Sequence, residues 1–324
     1  MIKTSPQNYS IHGLNYLSEI PLDAVQIEKY RSQIQVLWTQ PRKIPKEIPE
    51  GDVIQKFVWG EENGLSVVMN DFGIIVRIFG LCEFNIDMAM EKIHTTVDTD
   101  QDPRWASLFL AGVVSSLILM KMGRCVLHAS AVFYENRAIA FVTGSGMGKS
   151  TLAALFCFQG AELVTDDVLH LGYDDKFFCH QGMRSLRLRK KAPSIVKKFD
   201  KSMVSLSVDD RYSLLLGKMI KSHLPLDIII VPRLLRSEKQ IRSRRLQAHE
   251  AFLSLMKFPR ILGIVDEEIL RSQFYWITKL VKHVPVFEVD IPWSESPRAD
   301  LPRRIMSQIT AENEINNVMK TTGS

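Results

Sequence analysis

The chain has 324 residues, 46% of them hydrophobic and 24% charged, with a formal net charge of +5. That length and apolar content exclude a disordered chain and predict a buried core divided between two domains. The small positive balance is too weak to imply nucleic acid, and the four cysteines (Cys82, Cys125, Cys157, Cys179) stand far apart with no Cys-x-x-Cys pair, the pattern of reduced thiols in a cytoplasmic protein.

Residues 1–19 lack an apolar core of the length a secretory signal needs. Residues 1–98 read as a small β-rich domain, with strands predicted at 53–59, 65–70 and 73–79 and a turn at Asn70-Asp71-Phe72-Gly73 between the last two. Residues 40–49, with Pro41, Pro45 and Pro49 among lysine and arginine, read as a loop. No residue pattern in this region carries catalysis, so its expected role is docking a substrate or partner. The most apolar run, residues 108–120, is interrupted by Ser115 and Ser116. Thirteen residues are too few to span a bilayer, so this is predicted to be a core helix bounded by Pro103 and Gly123, with no membrane partner.

A second domain is expected over residues 99–312, followed by a flexible tail over 313–324. Its centre is Gly144-Ser145-Gly146-Met147-Gly148-Lys149-Ser150-Thr151, between an apolar strand pattern at 138–142 and a helix pattern at 151–158. Glycines let backbone N–H groups approach an anion, and the helix start adds unpaired N–H groups and a positive dipole end. In such a loop Lys149 reaches phosphate as a point charge and the Ser150 hydroxyl ligates Mg²⁺. The full Gly-x-x-x-x-Gly-Lys-Ser/Thr pattern asks for glycine at position 143, where this chain has Thr143; Gly144 is expected to supply that backbone freedom one residue later.

After the helix, Gly160 is a stop signal, residues 162–165 read as a strand, and Asp166-Asp167 follows it. Apolar neighbours on both sides, Leu163-Val164 and Val168-Leu169, predict burial beside the loop and a role in metal binding or proton transfer. Asp174-Asp175 and Asp209-Asp210 lie in polar sequence and read as charged turns. His128 either holds Asp166 or contacts phosphate.

Leu127-His128-Ala129-Ser130-Ala131-Val132, the glycine loop and Leu163-Val164-Thr165-Asp166-Asp167 together resemble the HPr kinase family over residues 123–171. The resemblance implies an α/β fold: a mixed-sheet P-loop kinase core of the HPr kinase/PEP carboxykinase type, here with the small β-rich N-terminal domain. It implies ATP and Mg²⁺, with residues 144–151 on the nucleotide, Ser150 and Asp167 on the metal, Asp166 taking the proton of an attacking hydroxyl, and Asp167 and His128 assisting. Bacterial HPr kinases carry a metal-binding glutamate in a Leu-Glu-Ile-Arg-Gly context. The comparable Ser185-Leu186-Arg187-Leu188-Arg189 has none, and the signature of the reverse, phosphorylase activity is missing. The chain is therefore more similar to divergent relatives with a His-Ala-Ser-Ala-Val strand, which include lasso-peptide tailoring kinases. The expected reaction is transfer of the γ-phosphoryl group of ATP to a serine-type hydroxyl of a peptide or protein, with a small-molecule hydroxyl kinase or a silent nucleotide-binding regulator as alternatives. A homo-oligomer is also implied.

Arg184, Arg187, Arg189, Lys190, Lys191, Lys197 and Lys198 form a basic cluster. Arg187 and Arg189 alternate with leucines on a predicted strand and share one face, where they can meet phosphoryl charge or an acidic substrate terminus. Residues 225–231 are a predicted buried strand. The basic run at 233–245 lacks interleaved aromatics and a reading helix, which argues against nucleic acid. Helices are expected at 247–256, 267–282 and 301–312, with a strand at 285–289. The remaining histidines show no zinc spacing.

Overall fold

The computed structural model describes residues 5–28, 34–59, 63–190, 192–216, 224–236, 240–293 and 297–322; Lys191 and His223 lie outside these. The chain is a mixed α/β protein of two compact units. The first comprises Met1–Val126 with Gln181–Met183 and Arg260–Phe274, and the second Leu127–His180, Arg184–Pro259 and Tyr275–Ser324.

The first unit holds a nine-stranded sheet in the order Val25–Gln26, Gln7–Ile11, Leu14–Ser18, Ile34–Trp38, Lys92–Val97, Cys82–Asp87, Gly73–Ile78, Asn63–Asn70 and Asp52–Trp59. Ile34–Trp38 runs parallel to both neighbours, and the remaining pairs are antiparallel. Six of these nine strands escape the sequence pattern, because short strands such as Gln7–Ile11 alternate apolar with mid-polar residues and give a weak two-residue period.

This unit does not end at residue 98 but extends to Val126 and recruits two later segments. The apolar helical stretch belongs to its core: the Tyr16 hydroxyl meets Ser115 Oγ at 2.8 Å and His12 Nε2 meets the Ala111 carbonyl at 3.0 Å. The stretch starts at Arg104 and is not uniformly α-helical. Leu110–Val114 is a π-turn between Arg104–Phe109 and Ser115–Lys121, and Ser115 Oγ donates to the Leu110 carbonyl at 2.7 Å, taking up an acceptor inside the widened turn. By length and composition Arg104–Lys121 passes as a membrane span, and 61% of it is buried within the protein, as befits a core helix.

In the second unit the strand order that places the site is Leu169–Asp174, Lys176–Cys179, Leu224–Leu235, Arg137–Val142, Ala129–Tyr134 and Glu162–Thr165, with Val286–Pro292 and Arg242–Arg245 branching from Leu224–Leu235. Ala129–Tyr134 is antiparallel to both Arg137–Val142 and Glu162–Thr165, so those two run in the same direction on either side of it. Ala129 faces Val142 and Ala131 faces Thr165. The start of the middle strand and the ends of its two neighbours therefore meet at one sheet edge.

Helix Lys149–Phe158 packs its apolar side into the core of this unit, where Phe156 sits 5.1 Å from the Phe141 ring and 5.3 Å from Tyr134. Leu186, Leu188, Phe287 and Ile305 join the same cluster. Truncating Phe156 to alanine in such a setting costs about 3–5 kcal/mol. A separate three-stranded sheet holds Ser185–Leu188, Tyr212–Leu215 and Val204–Leu206. The last helix runs from Leu301 to Thr322 and does not stop at 312. The basic run at 233–245 contributes to two strands, and its Arg233 and Arg244 pair with Glu288 at 3.3 Å and 3.5 Å.

Candidate active site at the sheet edge

The buried strand Arg137–Val142 feeds directly into the loop, and the helix begins at Lys149. The backbone freedom expected of Gly144 lies elsewhere. Neither Thr143 nor Gly144 occupies the left-handed region; Gly146 at φ 77° and Gly148 at φ 93° do. A Cβ on Gly146 would press to 2.7 Å from the Arg189 guanidinium, and one on Gly148 would collide with Leu234. Threonine is therefore tolerated at the first loop position, where no positive φ is needed. Its carbonyl and that of Gly144 accept from Lys149 Nζ at 2.7 Å and 3.1 Å, which holds a buried ammonium at the mouth of the loop. The Gly144 carbonyl also accepts from the Met147 amide at 3.2 Å, and Thr143 Oγ1 donates to Met147 Sδ at 3.6 Å.

The two adjacent aspartates part company. The Val168 amide donates back to the Asp166 carbonyl at 2.9 Å, closing a tight turn that puts Asp167 at φ 71°. Asp166 points inward and is 2% exposed. Its Oδ1 accepts from Ser130 Oγ at 2.6 Å and Ser150 Oγ at 2.9 Å, and its Oδ2 from the Arg187 backbone amide at 3.1 Å. Sealed from the cavity and occupied by three donors, this carboxylate does not face an incoming hydroxyl, contrary to the role expected for it. Burial together with the nearby Asp166 charge pushes the Cys157 thiol up to about 12.

Asp167 points the other way, into a cavity of about 920 Å³ within the second unit. Its Oδ1 lies 3.2 Å from His128 Nε2, and its Oδ2 lies 3.7 Å from Arg187 Nη2. Ser145, Gly146, Gly148, Lys149, Ser150 and Thr151 line the same cavity, whereas Gly144, Met147 and Asp166 do not. The volume suits a nucleotide-sized ligand, given that ligand pockets run to about 300–1,000 Å³.

Arg187 sits on strand Ser185–Leu188, and Arg189 just beyond it; both line the cavity, as their shared face required. Arg187 is anchored by Asp209, with Nη1 to Oδ2 at 2.8 Å, and Lys190 pairs with Asp210 at 2.5 Å. Lys197 and Lys198 do not line it.

Several site residues carried no signal in the sequence reading. Ser130, at the start of strand Ala129–Tyr134, stands in the Leu127–Val132 motif without a role of its own, and its hydroxyl donates to Asp166. Arg211, Leu234, Arg236 and Trp293 reach the cavity from distant segments, and no local pattern marks them.

No family model matches this chain, and no curated protein matches it. Among solved structures, the Hpr(Ser) kinase/phosphatase from Coxiella burnetii is similar to 61% of this chain over 96% of its own length, with 12% sequence identity and a TM-score of 0.32.

Proposed function

We propose that the second unit is an ATP-dependent kinase that transfers the γ-phosphoryl group to a serine-type hydroxyl of a peptide or protein. One observation carries this reading: a glycine loop with Lys149 and Ser150, the Asp167–His128 pair and Arg187 all face a single cavity. Phosphoryl transfer asks for positioning, charge neutralisation and a proton acceptor, and these residues supply all three.

The donors at the helix start are hard oxygens, the Ser150 hydroxyl with the Asp166 carboxylate behind it, which fits Mg²⁺ brought in with a triphosphate. Bound there, Mg²⁺ would neutralise charge on the β- and γ-phosphates. Asp166 is then the residue that orients Ser150. Loop amides and the helix start receive the phosphates, and Lys149 leaves the Thr143 and Gly144 carbonyls for the β- and γ-oxygens. Asp167 is the base: as the acceptor oxygen bonds to the γ-phosphorus and the bond to the ADP oxygen breaks, the hydroxyl proton passes to its carboxylate, which His128 steadies. Arg187 and Lys149 meet the charge on the transferring group.

The test is transfer of label from γ-labelled ATP with Mg²⁺ to serine-containing peptides by wild type, Asp167→Asn and Lys149→Ala. Label on peptide from wild type alone, with nucleotide still bound by Asp167→Asn and lost by Lys149→Ala, is the expected outcome. Full activity in Asp167→Asn would remove the base, and label appearing only on small hydroxylated compounds would replace the acceptor class.

A further inference from the structure

The turn at residues 207–211 reads in sequence as a charged turn, yet its first aspartate is drawn against Arg187 and Arg211, which line the cavity. Strand Tyr212–Leu215 lies beside Ser185–Leu188, with Ser213 opposite Arg187, and the hairpin partner Val204–Leu206 closes through a Ser207 amide bond to the Arg211 carbonyl at 2.8 Å. Asp209 thereby reaches Arg187, and the side chains are only 14% and 13% exposed. Its Oδ2 takes both Arg187 Nη1 at 2.8 Å and Arg211 Nε at 3.1 Å. Two guanidinium groups on one carboxylate leave an excess of positive charge on the cavity wall. Arg187 Nε and Asp209 Oδ1 are both buried without a hydrogen-bond partner among the described residues, so the pair is not saturated. The Arg187 guanidinium also makes a longer ion pair with Asp167, Nη2 to Oδ2 at 3.7 Å, beyond hydrogen-bond length.

We infer that Asp209 is a positioning residue: by fixing Arg187 at its own carboxylate it keeps the guanidinium from closing onto Asp167. Beside its contacts with His128 and Arg187, Asp167 then keeps an acceptor position toward the incoming hydroxyl, and Arg187 keeps donors toward the phosphoryl oxygens. Without Asp209, Arg187 would draw its ion pair with Asp167 in to hydrogen-bond length, and a base and a charge stabiliser would be consumed together. This rests on the kinase reading given above.

The experiment measures kcat and KM for ATP in wild type, Asp209→Asn, Asp209→Glu, Asp210→Asn and the double variant Asp209→Asn/Arg187→Gln, beside Arg187→Gln alone. Asp209→Asn is expected to lower kcat by roughly 10- to 100-fold, the scale of a displaced catalytic group, with KM for ATP changed by no more than about two-fold. Asp209→Glu restores most of kcat, because a carboxylate again holds the guanidinium. Adding Arg187→Gln to Asp209→Asn costs little more than either change alone, since both remove one unit. Asp210→Asn keeps wild-type kcat: its side chain is 71% exposed, and asparagine tolerates its φ of 60°, so it separates the turn's integrity from the Asp209 contact. Unchanged kcat in Asp209→Asn, no rescue by glutamate, or fully additive losses with Arg187→Gln would each overturn the positioning role alone. Wild-type protein that transfers to no acceptor would overturn the kinase reading and this inference with it.

Discussion

Asp166-Asp167 and Asp209-Asp210 are the same dipeptide set into two different turns of the second unit. In each the second residue adopts the left-handed region, Asp167 at φ 71° and Asp210 at φ 60°, which a short acidic side chain tolerates. In each the first residue turns inward. The difference lies in what surrounds the second carboxylate. Asp167 faces a cavity beside His128, whereas Asp210 faces solvent with Lys190. Local sequence therefore sets the hand of the turn, and the surface on which the turn lands sets its chemistry.

The sharpest way to break that comparison is at Asp167. Asp167→Asn should lower kcat by about 10²–10⁴-fold, the usual worth of a general base, while nucleotide affinity stays near wild type. If Asp166→Asn gave that loss instead, with Asp167→Asn active, the two members of the first pair would have to exchange roles.

Asp166→Asn is expected to act chiefly on stability. An amide NH₂ would face either the Arg187 amide or the two serine hydroxyls, so at least one buried donor loses its acceptor, a cost of about 1–3 kcal/mol read as a lower denaturation midpoint. Equal stability with intact transfer would mean that the inward carboxylate is dispensable.

The inward charge of Asp166 also reaches Cys157. The thiols of Cys125, Cys157 and Cys179 are each raised by burial from 9.0 to about 12, with Asp166 contributing at Cys157 and Asp227 at Cys179. In the unfolded chain they ionise near 9.0, so the folded state holds more protons above that pH. Stability is present in full below about pH 9 and is lost as pH rises toward about 12. Chemical denaturation across that range should show the fall, and Asp166→Asn should make Cys157 ionise earlier. A flat alkaline profile would contradict this burial.

The smallest effect belongs to Asp210. Its ion pair with Lys190 is solvent-exposed on both sides, so Asp210→Asn should shift stability by no more than about 0.5 kcal/mol in thermal unfolding. A larger shift would mean that the second pair is less different from the first than its surroundings imply.

By itself the sequence determined what depends on neighbours along the chain. The strand, glycine loop and helix around Lys149, the strands Glu162–Thr165 and Ser185–Leu188, and the alternation that puts Arg187 and Arg189 on one face all follow from period, turn residues and composition within a few residues. The tertiary structure decided what depends on pairing between distant segments. Ala129–Tyr134 lies between two strands of like direction, and only that register brings His128, Ser130, the loop and the aspartates to one edge. The inward turn of Asp166 and the outward turn of Asp167 sit at that edge, whereas the clasp of Asp209 on Arg187 comes from the pairing of Tyr212–Leu215 with Ser185–Leu188 in the three-stranded sheet. The first unit's reach past residue 98 has a similar cause, since the apolar helix finds its partners in Tyr16 and His12, almost a hundred residues earlier. Burial and hydrogen bonding act between surfaces, and a surface exists only once the segments that form it have met.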